Sequence, residues 1–168
     1  MERDRYLEQW AAWLPAALVW LAQDPPNYRD SEGTIPKPAR PVLGIQRVDG
    51  PLRVALLSSS AAYDTATQPA YNEHCVIGDS SWRVFPYDLP DERIDFAHEH
   101  FDRAPARRDP ELVLPRRALR ATGVETTAHA ISWSGYSMDW PGLLHQTIPQ
   151  MVAQVKADNA NAALLVPV

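Results

Sequence analysis

The chain has 168 residues, 45% of them hydrophobic, and a formal net charge of -5. That is enough apolar material for one buried core. With acidic and basic residues interspersed, no basic stripe is left to neutralise phosphates, which argues against a nucleic-acid partner. The one cysteine, Cys75, cannot form an intramolecular disulfide, as suits a reducing cytoplasm, and no CxxC or Cys/His zinc pattern accompanies it.

Residues 5–22 carry Leu7, Trp10, Ala11, Leu14, Ala17, Leu18 and Leu21 at steps of three and four, the spacing of an amphipathic helix. Its apolar run is about a dozen residues against the roughly 20 that a bilayer needs, and Pro15 interrupts it, so no membrane span is expected. Glu2 and Asp4 and the lack of an Ala-x-Ala site argue against a signal peptide. Trp10, Trp13 and Trp20 are expected on more than one face, a surface for a partner subunit or a second copy if it is not simply core.

Residues 25–51 read as a connector, with five prolines between Pro25 and Pro41 removing backbone donors and fixing φ. The domain organisation expected is therefore an N-terminal helix (1–24), a proline-rich connector (25–51) and an α/β domain (52–168). Within that domain 53–60 is an apolar run closing in three serines, the pattern of a parallel strand whose carboxyl end faces a site. Further strands are expected at 82–86, 93–98 and 128–133, and a short buried segment at 111–114. A helix begun by Pro115 and ended by Gly123 follows that segment. The last helix, 141–159, has Leu144, Ile148, Met151, Val152 and Val155 as its stripe, with Pro149 kinking it or setting its first turn. It leads into a buried strand at 162–168. The fold class expected is α/β, a mainly parallel open sheet of flavodoxin-like or Rossmann-like form with an N-terminal amphipathic helix.

Ligands in such sheets gather outside the carboxyl ends of the strands. Ser58, Ser59 and Ser60 and the turn Ser134-Gly135-Tyr136 fall on that rim, but neither a phosphate loop nor a Gly-x-Ser-x-Gly elbow is present. His98, His100 and Asp102 stand two residues apart, so an extended backbone would project all three to one face. They suit acid/base work or substrate contact, a metal such as zinc, or a hydrogen-bonded turn. Arg107, Arg108, Arg116, Arg117 and Arg120 read as a solvated face, and Cys75 as incidental despite His74 beside it.

Taken in order, Ser58-Ser59-Ser60, Gln68-Pro69, Gly78-Asp79-Ser80-Ser81-Trp82-Arg83-Val84-Phe85-Pro86, His98-Glu99-His100-Phe101-Asp102, Leu112-Val113-Leu114-Pro115-Arg116-Arg117-Ala118-Leu119, Ser134-Gly135-Tyr136 and Ala163-Leu164-Leu165-Val166-Pro167-Val168 resemble the selenoprotein B family of the glycine, sarcosine, betaine and D-proline reductases. The likeness is to its short members and spans residues 54–168, leaving the N-terminal helix outside. What the resemblance implies is reductive cleavage of a carbon–nitrogen bond in a small amine or amino acid, with electrons from a thioredoxin-like dithiol. It also implies a reactive selenocysteine or cysteine directly after a Leu-Leu-x-Pro-Val strand, with a second cysteine three positions on. Val168 is the residue before that position. Because selenocysteine is encoded by UGA, the expectation is a front portion of a longer selenoprotein, itself lacking the redox residue and inactive in reduction. On the same basis His98, His100 and Asp102 are the candidate catalytic residues, Ser58, Ser59, Gln68 and Tyr136 the candidate pocket lining, and no cofactor is expected in these residues themselves. Two other classes stay open: a non-catalytic partner or binding subunit that ends at Val168, and a metal-dependent enzyme built on the histidine cluster.

Overall fold

The computed structural model describes residues 2–37 and 48–168. The chain forms two compact units, Met1–Gln46 and Arg47–Val168. At the centre of the second lies β1 (Arg53–Ser58), buried on both faces from Val54 onward, as its unbroken apolar run requires. It pairs in parallel with β5 (Glu125–Trp133) on one side and with β6 (Ala162–Val166) on the other. A third neighbour, β3 (Trp82–Pro86), adds antiparallel to β5, giving the order β3-β5-β1-β6. The expected α/β class with a mainly parallel sheet is what forms.

The connections explain which face each helix covers. From β1 the chain reaches β5 by way of α4 (Arg116–Ala121), and from β5 it passes back across β1 to β6 by way of α6 (Ile148–Ala157). Crossovers of one hand that travel in opposite directions must use opposite faces. Accordingly Leu119 of α4 packs with Leu56, Phe85 and Ala130, whereas Met151 of α6 packs with Ala55, Leu57 and Ile131. The first face is also sealed by Ala106 of α3 (Arg103–Arg108) and by Leu114.

Several local expectations change. Residues 93–98 yield only β4 (Ile94–Phe96), which pairs antiparallel with β2 (Ala62–Asp64) in a separate two-stranded sheet. The strand at the end of the chain is an exposed edge and not a buried one, because among the described residues β1 alone flanks it: Leu165 is 62% exposed. Of the expected buried segment 111–114, Leu112 is exposed in a 3-10 turn and Leu114 alone is fully buried. Arg116 leaves the arginine cluster for the interior, donating to the Tyr87 carbonyl at 3.1 Å and pairing with Asp91. The last helix is interrupted: α5 (Trp140–Gly142) gives way to a π turn at Leu143–Thr147, and Pro149 sits in the first turn of α6, where its missing N–H costs nothing.

The first unit is helical. Trp10, Trp13 and Ala17 of α1 (Glu2–Leu21) are buried and Trp20 is half-buried. At 100° per residue these four positions lie on one stripe, so the tryptophans share a face and the expected two-faced arrangement does not arise. Trp13 Nε1 donates to Thr34 Oγ1 at 2.9 Å. Residues 25–51 are not uniformly extended, because α2 (Tyr28–Gly33) forms there; Asn27 Oδ1 accepts the Asp30 N–H at 3.2 Å at its start. Residues 38–47 of the connector lie outside the described residues.

Candidate functional site at the carboxyl rim

From β1 the chain runs to β5 and then returns across β1 to β6, so the carboxyl ends of the three parallel strands share one rim, and open α/β sheets hold their ligands outside such ends. Hydrogen bonds converge there. Ser59 donates its N–H to Val166 O at 3.0 Å and accepts the Gly135 N–H on its own carbonyl at 3.0 Å. Its Oγ accepts the Val168 N–H at 2.8 Å. The end of β6, the serines of β1 and the turn after β5 are thus tied through one residue. Glycine at 135 eases this approach, since a Cβ there would stand 3.2 Å from Ser59 Cβ, O and Oγ and ask Ser59 to give by a few tenths of an ångström. Just beyond the serines the fully buried Ala61 is held at φ 52°, a left-handed conformation that costs a non-glycine residue on the order of 1 kcal/mol. Its N–H donates to Trp133 O at 2.9 Å, so the strain is held by the end of β5.

The histidines line the same rim from a turn. The strand stops at Phe96 and the chain turns at residues 99–101, so the expected one-faced array of three does not form. His98 is buried, 5% exposed, whereas His100 is exposed. His98 Nδ1 accepts the His100 N–H at 3.1 Å, which places the His98 ring proton on Nε2. Burial, with the positive fields of His100 and Arg103 adding to it and Glu73 opposing, pushes the His98 pKa below its ordinary value, so at neutral pH the ring is uncharged. Its Nε2–H is buried without a hydrogen-bond partner. The His100 ring lies over Tyr136 with centroids 4.5 Å apart. Asp102 is drawn away to cap α3, accepting the Ala104 N–H at 3.0 Å.

His98, His100, Ser134 and Tyr136 border a cavity of about 10 Å³ together with Glu73 and Asp79, room for about one water. Burial raises the Asp79 carboxyl, but hydrogen bonds from Ser81 and the Asn72 N–H outweigh it and leave the pKa below the usual range. Glu73 pairs with Arg103 and His74 Nδ1 meets Glu99 at 2.7 Å. Gly78 closes the other side at φ +80°, its Cα so near the Tyr136 carbonyl that a Cβ would sit 2.3 Å from the oxygen. Cys75, in the turn that ends at Gly78, is half-buried.

Among the described residues no three His, Cys, Asp or Glu side chains converge as metal ligands. No family model matches the chain, and no curated protein or solved structure matches it.

Of the residues singled out in the sequence, Ser59, His98, His100 and Tyr136 meet at the rim. Ser58 is fully buried behind it, donating to Val113 O at 2.7 Å. Gln68 braces the scaffold with both ends of its amide, Nε2 to Val84 O at 2.8 Å and Oε1 from the Asp64 N–H at 2.9 Å. Tyr136 also turns its hydroxyl to Val76 O at 2.8 Å, so its ring and not its OH faces His100. Sequence reasoning placed Ser134 on the rim within its turn but missed Glu73 and Asp79 as site residues. Only their nearness in sequence to His74 and Gly78 hinted at them. A larger concavity, about 690 Å³, lies instead on the face of the sheet against α6 and is lined almost wholly by apolar side chains. Its chemistry is that of a packing surface, and the site is assigned to the rim, where the polar groups converge.

Proposed function

We propose that the chain is a component of a selenol- or thiol-dependent reductase that cleaves a carbon–nitrogen bond in a small amine or amino acid, its α/β domain flavodoxin-like or Rossmann-like in general form. What supports this reading is the hydrogen bond from the Val168 N–H to Ser59 Oγ, which holds the segment after β6 at the carboxyl rim of the sheet. A residue following Val168 would enter the rim beside Ser59, Gly135 and the histidines. A selenol or thiol there would supply the nucleophile: it bonds to the carbon, and the nitrogen leaves with the bonding pair and takes a proton; a thiolate then attacks the selenium or sulfur, the carbon leaves with that bonding pair and takes a proton, and the selenenyl sulfide or disulfide so formed is reduced by a dithiol that ends as its disulfide.

The residues of this chain prepare that position. Ser59 and Gly135 fix the backbone geometry, and the His98 Nε2–H offers an unused donor to an acceptor atom of a ligand. Being neutral, His98 holds such a group and does not deliver a net proton at neutral pH. His100 and Tyr136 close the opposite wall.

The test begins with the nucleotide sequence after the Val168 codon. A UGA followed by an open frame with a nearby cysteine is expected, and the full product should release amine from substrate only when dithiol is present. A UAA or UAG with no frame beyond it, or a full product without dithiol-dependent cleavage, overturns the reading.

A further inference from the structure

Away from the rim, the first turns of α4 and the turn that follows β3 enclose a polar cavity of about 360 Å³. Because β3 runs antiparallel to β5, its end lies toward the amino end of β5: the Tyr87 N–H donates to Ala128 O at 2.8 Å, and Arg120 Nε donates to Thr126 Oγ1 at 3.2 Å. At about 3.3 Å per residue along the strand, Thr126 stands roughly 25 Å from the rim turn at Ser134.

One buried side chain locks helix and turn together. Arg116, 5% exposed, donates from Nη1 to the carbonyls of Tyr87 at 3.1 Å and Leu89 at 2.5 Å and pairs through Nη2 with Asp91, while the Tyr87 hydroxyl donates to Arg116 O at 3.1 Å. Arg116 borders the cavity, and its Nε is buried without a hydrogen-bond partner. Arg117 is held by Asp91 and, farther off, by Asp109 and Glu111. Arg120 differs. Its guanidinium carbon lies 4.5 Å from the centroid of the fixed Tyr87 ring, and among the described residues no carboxylate pairs with it. Asp88 and Glu92, exposed on the turn and bordering the same cavity, have no cationic partner among the described residues either.

We infer that this cavity is a second binding site, separate from the rim, for a small amino carboxylate, whose carboxylate pairs with the Arg120 guanidinium and whose ammonium pairs with Asp88 and Glu92. The unpaired charges select the class. A guanidinium held over an aromatic ring has already lost part of its freedom, and its two Nη groups form a fork that a carboxylate accepts in bidentate fashion. A ligand with negative charge alone would meet repulsion from Asp88 and Glu92, and a simple amine would leave Arg120 unmatched. A molecule bearing both charges complements all three side chains. The volume stands near the small end of the range of about 300–1,000 Å³ for ligand cavities, which suits a molecule of amino-acid size. None of this rests on the reading proposed for the rim.

The test titrates the isotope-labelled 168-residue chain with glycine, β-alanine and γ-aminobutyrate, which set the two charges progressively farther apart, and with acetate and methylamine as single-charge controls. At least one of the three zwitterions should move the amide resonances of residues 87–92 and the Arg120 side-chain resonance saturably below about 50 mM, with acetate and methylamine about tenfold weaker. Arg120→Gln, which leaves Arg116 and its bonds in place, should weaken binding about tenfold, and Asp88→Asn combined with Glu92→Gln should do the same while strengthening acetate. The inference is overturned by the absence of a saturable shift with any of the three, by acetate binding as tightly as they do, or by undiminished binding in a folded Arg120→Gln protein. Shifts confined to Ser59, Gly135 and the histidines overturn it too, and would assign amino-acid binding to the rim alone.

Discussion

On the face carrying Leu56, Phe85 and Ala130 the sheet is sealed by Ala106, Leu114 and Leu119 from three successive segments, whereas on the face carrying Ala55, Leu57 and Ile131 only α6 and its flanks lie over it, and Leu165 stays exposed. The same four strands supply both faces. What differs is how many elements the chain brings to each: α3, the 3-10 turn at Pro110–Leu112 and α4 all fall between β1 and β5 and crowd onto one side, while α5, the π turn and α6 are all that separate β5 from β6. A strand flanked on both sides inherits both layers. The edge strand β6 inherits one neighbour and a half-covered face.

The largest expected effects come from deleting matched core volume on the two faces. Phe85→Ala should cost about 3–5 kcal/mol in chemical denaturation, since it opens a sealed cavity. Met151→Ala should cost about 2 kcal/mol, near the low end for its type, because the space it leaves joins an open groove. Equal losses would break the comparison. At the rim, Gly135→Ala forces a methyl against Ser59 and is expected to cost about 1–3 kcal/mol. Its nuclear magnetic resonance shifts should move at Ser59 and Val168 together if one residue ties the three strand ends.

A smaller effect distinguishes the buried histidine. Because the folded pKa of His98 is depressed, the unfolded chain binds the proton more readily, and the stability this contributes is full above the unfolded value of about 6.5. It is lost as pH falls through the folded pKa. His98→Gln should flatten the stability profile below about pH 6.5, and an unchanged slope there would remove His98 as its source. The smallest effect is expected at the open edge. Leu165→Asn should change the stability of the 168-residue chain by no more than about 0.5 kcal/mol, since the side chain is largely in water already. A loss of several times that would show the edge to be covered.

Much of the architecture was legible locally. The unbroken apolar run of β1, the strand signal at 128–133 within β5, and the proline and glycine that bracket α4 are periodicities and backbone chemistries that neighbouring residues decide among themselves. The rim was legible in the same way, as serines and a glycine turn at strand ends. The histidine geometry was not. Spacing of two residues reads as one face only if the backbone stays extended, and here Asp102 is taken by the cap of α3 and the His98 ring by the His100 amide.

By itself, then, the order of residues determined the α/β class, the strands of the central sheet and the polar character of their carboxyl ends, because each depends on contacts within a few residues. Tertiary structure alone decided that β6 is an edge, that Arg116 goes inside, and that Ser59 joins the end of β6 to the turn after β5. Those outcomes depend on which segments, far apart in the chain, arrive at the same place, and no local pattern carries that information.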